Sequence, residues 1–207
     1  MAIDCIVCDW GKVLIDFDAK LTVRRLVKLS GIDPITVRNI VFQSQYTKEN
    51  DLGISPQEFY ERVSDLLGWQ LKVKAEEFRE AWDEMFSYTP ENEKMVQLMS
   101  CLRGNGYRMV MLSNVDKSHA EYLQRNFSQT TEPFEHKIWS CNEGMRKPDK
   151  GLWQRVKEIT GIPPERCAYI DDVEEYVRVA RQLGMTGIWH KGYEQTAREL
   201  MAAGIKI

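Results

Sequence analysis

The sequence predicts an α/β fold: a mostly parallel sheet of about five strands with helices on both faces, interrupted after the first strand by an all-helical insertion. Three observations predict it. Short apolar runs rich in β-branched residues recur between segments of helical periodicity. Residues 17–88 carry repeated helical patterns and no strand signal. Polar residues follow the ends of several apolar runs, where open α/β sheets place their ligand crevice.

The first run, Ile6-Val7-Cys8, reads as a buried strand ending at Asp9, followed by Gly11, a second apolar run and Asp16. Residues 18–30 alternate Leu21, Val23, Leu26, Val27 and Leu29 with basic residues, an amphipathic helix closed by Gly31. Asp33-Pro34 caps a helix to about Gln43, and Ser55-Pro56-Gln57-Glu58 starts another that stops near Gly68. Residues 74–86 repeat the helical spacing with Phe78, Ala81, Trp82, Met85 and Phe86. Lys48-Glu49-Asn50-Asp51 reads as a solvated loop that this fold could turn toward a site. Asp16 and Asp18 read as acids at a helix entry or hinge.

Alternation of helix and strand then resumes. Helices are expected over 91–103, 117–127, 149–161, 173–183 and 194–203. Strands are expected at 108–112, ending in Ser113-Asn114, at 137–141, at 167–170, ending in Asp171-Asp172, and at 186–190. Strands separated by helices imply parallel pairing through right-handed crossovers.

Composition excludes several classes. The chain has 207 residues, 43% hydrophobic and 29% charged, with net charge -3, which is ordinary for a soluble globular protein and gives no sign of a nucleic-acid partner. No apolar run approaches a membrane span and no secretory signal is visible, so a cytoplasmic location is expected. The five cysteines read as reduced thiols; Cys5 and Cys8 lie three apart on a strand and point to opposite faces, unsuited to one metal.

Asp9, Ser113-Asn114, Arg146-Lys147-Pro148 and Asp171-Asp172 all fall at or just past the C-terminal ends of expected elements. A parallel sheet brings such ends to one edge. Three carboxylates form a hard oxygen site suited to Mg²⁺, and would repel one another without a cation. A lysine suits a phosphate or a nucleophilic carboxylate. This is equipment for phosphoryl transfer.

These residues also carry a resemblance. Cys8-Asp9-Trp10-Gly11-Lys12-Val13-Leu14, Leu112-Ser113-Asn114, Gly144-Met145-Arg146-Lys147-Pro148-Asp149 and Ile170-Asp171-Asp172 resemble, in order and spacing, the motifs of the haloacid dehalogenase-like (HAD) hydrolase superfamily, from the first strand to about Gly184. The likeness is to the subgroup with a small helical cap, to which a bacterial glucose-1-phosphate phosphatase belongs. It implies a Rossmann-like core at 1–16 and 89–207 and a cap at 17–88. It implies Asp9 as the nucleophile, Asp9, the Gly11 carbonyl, Asp171 and Asp172 as Mg²⁺ ligands, Ser113 and Asn114 as phosphate-binding residues, and Lys147 as the balancing charge. The activity implied is hydrolysis of a small phosphorylated metabolite, such as a sugar phosphate, through an aspartyl-phosphate, by a monomer or homodimer.

Two positions depart from the resemblance. Gly11 replaces the Asp that serves many such phosphatases as general acid, leaving Lys12, Asp16, Lys48 and Glu49 as substitutes, a leaving group that needs little help, or a protein without turnover. Tyr176 stands where an Asn or Asp often orients the acidic pair. The competing readings are a metal-independent 2-haloacid dehalogenase and a non-catalytic phosphate-binding or regulatory protein. His119, His136 and His190 show no ligand spacing and read as surface residues of helices or loops; Trp69, Trp82, Trp139, Trp153 and Trp189 read as packing residues, with Trp82 able to line the cap. Trp10 and Lys12 either narrow the site or pack.

Overall fold

The computed structural model describes residues 2–68 and 72–207, so Trp69 lies outside the described residues. In chain order the elements are β1 (Cys5–Cys8), β2 (Asp16–Phe17), α1 (Ala19–Ser30), α2 (Pro34–Gln43), α3 (Gln45–Asp51), α4 (Pro56–Leu67), α5 (Ala75–Asp83) and β3 (Phe86–Ser87). They continue as α6 (Pro90–Gly104), β4 (Arg108–Ser113), α7 (Lys117–Asn126), β5 (His136–Trp139), α8 (Ser140–Glu143) and α9 (Gly151–Thr160). The chain closes with β6 (Cys167–Asp171), α10 (Glu174–Gln182), β7 (Thr186–Trp189) and α11 (Tyr193–Ala202).

The main sheet has five parallel strands in the order β5-β4-β1-β6-β7. All four residues of β1 are fully buried, because the strand has a neighbour on each side and helices above and below. Alternation splits its side chains. Ile6 and Cys8 join the cluster under α6, α7 and α11, while Cys5 and Val7 join the one under α9 and α10. Chain order runs outward from β1 through β4 to β5, then crosses to β6 and β7. The strand order therefore reverses between β1 and β6, the place where doubly wound sheets open a crevice.

The insertion folds around its own core, in which Leu26, Val41, Phe59, Val63, Phe78, Ala81 and Trp82 are buried. Its helices begin as the sequence predicts. Asp18 caps α1 by accepting from the Lys20 amide, Asp33 caps α2, and Ser55 accepts from the Glu58 amide at the start of α4.

The insertion is not purely helical. β2 and β3 pair antiparallel at its two ends, Asp16 opposite Ser87 and Phe17 opposite Phe86. Two-residue strands are too short to carry a periodicity. The Lys48–Asp51 run is helix α3 rather than a loop; it is polar almost throughout, yet Asn50 is buried. α8 and the shorter β5 likewise revise the strand expected at 137–141.

Gly53 sets how closely the insertion meets the core. Its φ is +100°, and a Cβ there would lie 2.3 Å from the Cys141 carbonyl oxygen. Only glycine permits both the turn and that approach. The Gly53 carbonyl in turn accepts from Lys117 Nζ at 2.6 Å. No described helix is long and apolar enough to cross a membrane.

Candidate active site

β1 delivers Asp9 to the switch point, where its amide donates to the Ile170 carbonyl at 2.9 Å. β6 ends on Asp171, with Asp172 next. Each of these three acids offers a carboxylate oxygen within 4.8 Å of the others. Lys147 is 1% exposed and reaches into the cluster. Its Nζ lies 3.0 Å from Asp9 Oδ1 and 2.7 Å from Asp171 Oδ2, and donates to the Leu112 carbonyl at 3.1 Å.

Electrostatics follow from burial. Three acids surround one lysine, so the ionised cluster carries excess negative charge. Burial pushes the Asp9 carboxyl up to about 7; Lys147 opposes this, and Asp171 and Asp172 add to it. Burial and then Asp171 raise Asp172. Burial works against the Lys147 ammonium, but Asp9 and Asp171 outweigh it and hold the lysine charged. Asp9 Oδ1 is buried and, although 3.0 Å from Nζ, takes no well-aligned hydrogen bond. A hard divalent cation fits this donor set: oxygen atoms only, crowded and under-neutralised.

The remaining motif residues lock the cluster. The Asn114 amide bridges the Lys147 backbone, accepting from its N–H at 2.7 Å and donating to its carbonyl at 3.1 Å. Asn114 thus positions the lysine, while the Ser113 hydroxyl has no hydrogen-bond partner among the described residues and Ser113 borders the open cleft. Tyr176 lays its ring 5.1 Å from Lys147 Nζ, a cation–π contact, rather than bonding the acids. That bond comes from Tyr169, whose hydroxyl donates to Asp171 Oδ2, while the Val173 amide donates to Oδ1. Tyr169 escaped the sequence reading. Its signal was a tyrosine two residues before the acid in an apolar strand, hence on the same face.

Residues after Asp9 form a tight loop. Lys12 sits at φ 59°, its amide donates to the Ile15 carbonyl at 2.7 Å, and its ammonium is tied to Asp16 and the Phe17 carbonyl. A Cβ at Gly11 would meet the Phe17 ring at 3.2 Å, so a larger residue there must displace the ring. Of the substitutes for an acid at position 11, Lys12 and Asp16 pair with each other and Glu49 pairs with Arg62. None of them, nor Lys48, lines the cleft.

The cleft, about 300 Å³, lies between core and insertion, and its lining includes Gly11, Ser113 and Asn114, whose motifs also supply the cluster. Trp10 forms part of its wall, stacked on Trp139 at 5.5 Å, with its indole N–H donating to Thr130 Oγ1. His119 corrects the surface assignment of the histidines. It is 7% exposed, stacked on Trp82 at 4.6 Å, with Nε2 3.0 Å from the Trp82 carbonyl and Nδ1 2.9 Å from Asp116 Oδ2. Burial opposes its imidazolium, but the Asp116 carboxylate outweighs burial and raises its pKa. His190 is buried too, its Nδ1 2.8 Å from Thr196 Oγ1, and burial lowers its pKa. Trp82, Trp139 and Trp153 are buried, as packing requires. Arg146 reaches from the core to Asp51 of the insertion at 3.0 Å; burial pushes that acid up to about 6 despite the arginine.

Known proteins share this architecture. A bacterial enzyme described as a D-ribitol-5-phosphate phosphatase, from Bacteroides thetaiotaomicron, is 25% identical over 187 residues, 86% of this chain and 87% of its own. A HAD family enzyme structure from the same organism superposes with a TM-score of 0.81 at 25% identity, covering 96% of this chain and 98% of that one. A wild-type complex with magnesium and inorganic phosphate gives 0.75 at 27% identity, covering 89% and 92%. The chain spans only 20% of the rat bifunctional epoxide hydrolase it also matches at 25% identity, over 53% of its own length. The haloacid dehalogenase-like hydrolase family model matches residues 3–184, and the chain belongs to that family.

Proposed function

We propose that this hydrolase is a Mg²⁺-dependent phosphatase for a small phosphorylated metabolite, with Asp9 as nucleophile and residues 17–88 as a cap over the site. One observation carries the reading: Lys147 Nζ sits between the buried acids Asp9 and Asp171, which with half-buried Asp172 form a cluster of three carboxylates that the lysine alone does not neutralise. The magnesium and phosphate complex of the Bacteroides enzyme supports it.

Asp9, Asp171, Asp172 and the Gly11 carbonyl would hold the ion. When bound, Mg²⁺ offsets the acids and polarises the phosphoryl oxygens. The chain's own groups do the rest. The Asp9 carboxylate forms a bond to phosphorus as the ester P–O bond breaks, and the leaving oxygen takes a proton from solvent. Water then hydrolyses the acyl phosphate, releasing inorganic phosphate and restoring Asp9. Lys147 favours the ionised form of Asp9 and offsets charge on the transferred group. Ser113 donates to a phosphoryl oxygen, and Asn114 contributes at the phosphate end by fixing the Lys147 backbone.

A metal-independent dehalogenase has no use for Asp172 crowded against two buried acids. A panel of phosphate esters assayed with and without Mg²⁺ tests the proposal. Mg²⁺-dependent phosphate release that Asp9→Asn eliminates is the expected result. Release unchanged by Asp9→Asn, halide release from a 2-haloacid that resists EDTA, or ligand binding without any turnover would overturn it.

A further inference from the structure

We infer that the cleft selects phosphate esters of apolar or aromatic alcohols over those of sugars and polyols; this rests on the phosphatase reading above. A polyol site needs polar groups that converge on the ligand and remain available to it. Here the cap side of the cleft presents Phe17, Phe42, Trp82, Met85 and Phe86.

The polar side chains on the wall are already committed to the protein. Asp116 takes the His119 amide at 3.0 Å, the Trp82 indole N–H at 3.3 Å and the His119 ring. Both His119 ring nitrogens have partners, Asp116 and the Trp82 carbonyl. Asp51 pairs with Arg146, and Thr47 donates to the Val41 carbonyl at 2.9 Å. Asn114 is held by the Lys147 backbone. Ser113, at the phosphate end, is the exception among the described residues.

The polar network of this wall holds two aromatic rings, Trp82 and His119, flat against each other across the two halves of the molecule. About 300 Å³ is room for a body of one or two rings or a short alkyl chain, at the small end of ligand pockets.

The test uses primary-alcohol phosphates; the neighbouring hydroxyls make the polyols the better leaving groups, so leaving-group basicity works against the expected preference. Butyl, hexyl and benzyl phosphate are compared with glycerol phosphate and a pentitol phosphate, all with Mg²⁺. Each buried methylene should raise kcat/KM roughly threefold to fourfold, so hexyl and benzyl phosphate should exceed the polyol esters by about tenfold or more. Phe42→Ser should lower the ratio of hexyl to methyl phosphate turnover by roughly tenfold, and Phe42→Leu should restore most of it. Equal or greater turnover of the polyol esters, or an unchanged ratio in Phe42→Ser, overturns the inference. Acetyl phosphate separates the two levels. If it is hydrolysed with Mg²⁺ and Asp9 while polyol esters are preferred, only the substrate class falls. If no phosphate compound is turned over, the phosphatase reading falls and this inference with it.

Discussion

The charge cluster of the core and the wall that the insertion gives the cleft are built on opposite principles. The cluster, beside the cleft, is a dense charge network: Lys147, Asp9, Asp171 and Asp172 are gathered at one strand edge and braced by Tyr169, Asn114 and backbone groups. The cap wall is an aromatic surface whose few polar groups bond to protein. In the proposed function, chemistry belongs to the parallel sheet, where strand ends fix side chains tightly, and selection to a separate layer that meets the core through Gly53 and the Asp51–Arg146 pair.

Substitutions in each layer should therefore have separable effects. The largest is Asp9→Asn, expected to lower kcat by about 10⁴-fold or more with the fold intact. Thermal melting without metal should not fall, since the change relieves repulsion among buried acids. Lys147→Met should cost about 3–5 kcal/mol of stability without metal, because it leaves buried acids without their cation. Added Mg²⁺ should recover part of that loss, read by melting with and without the ion.

Gly53→Ala moves to the other layer. Strain at φ +100° and the collision with Cys141 should cost about 1–3 kcal/mol. The cap should seat less closely, raising KM for a bulky ester more than it lowers kcat for acetyl phosphate. A steady-state comparison of the two substrates checks this. An equal loss on both would show that the layers do not act separately.

The smallest effect concerns pH. His119 has a raised pKa in the folded protein, so its stabilisation is present below the free imidazole value of about 6.5 and is lost as pH rises through the folded value. Asp116 has a lowered one, held down against burial by His119, so its contribution is present above the free carboxyl range and lost on acidification. The pair therefore holds core to cap best in the range between. Urea unfolding at about pH 6 and about pH 9 should show a fall in the native protein that is smaller in His119→Asn, where the raised Asp9 carboxyl still contributes a fall of its own. A fall of the same size in the variant would remove His119 as its source.

How much the sequence reveals differs between the layers for the same physical reasons. Strands of a parallel sheet are continuous apolar runs, and Asp9, Ser113 and Asp171-Asp172 stand out at their ends. Lys147 lies on a loop, but its motif and place in the chain order reveal it. The cap wall leaves no comparable trace. β2 and β3 are a single period long, and polar α3 hides that Asn50 is buried and Asp51 faces the core. His119 looks like a helix-surface residue because the partners that bury it, Trp82 and Phe86, lie far away in sequence. Aromatic spacing in residues 74–86 signals a helix core equally well whether a ring packs inward, as Phe78 does, or borders a cleft, as Trp82 also does.

The central claim is that Asp9 carries the phosphoryl group during turnover. Acid quenching of the Mg²⁺-loaded protein during hydrolysis of acetyl phosphate, followed by peptide mass analysis, tests it most directly. The account predicts a phosphoryl adduct on the peptide containing Asp9, absent without Mg²⁺ and absent in Asp9→Asn. An adduct on another residue, or turnover that persists in Asp9→Asn, would contradict it.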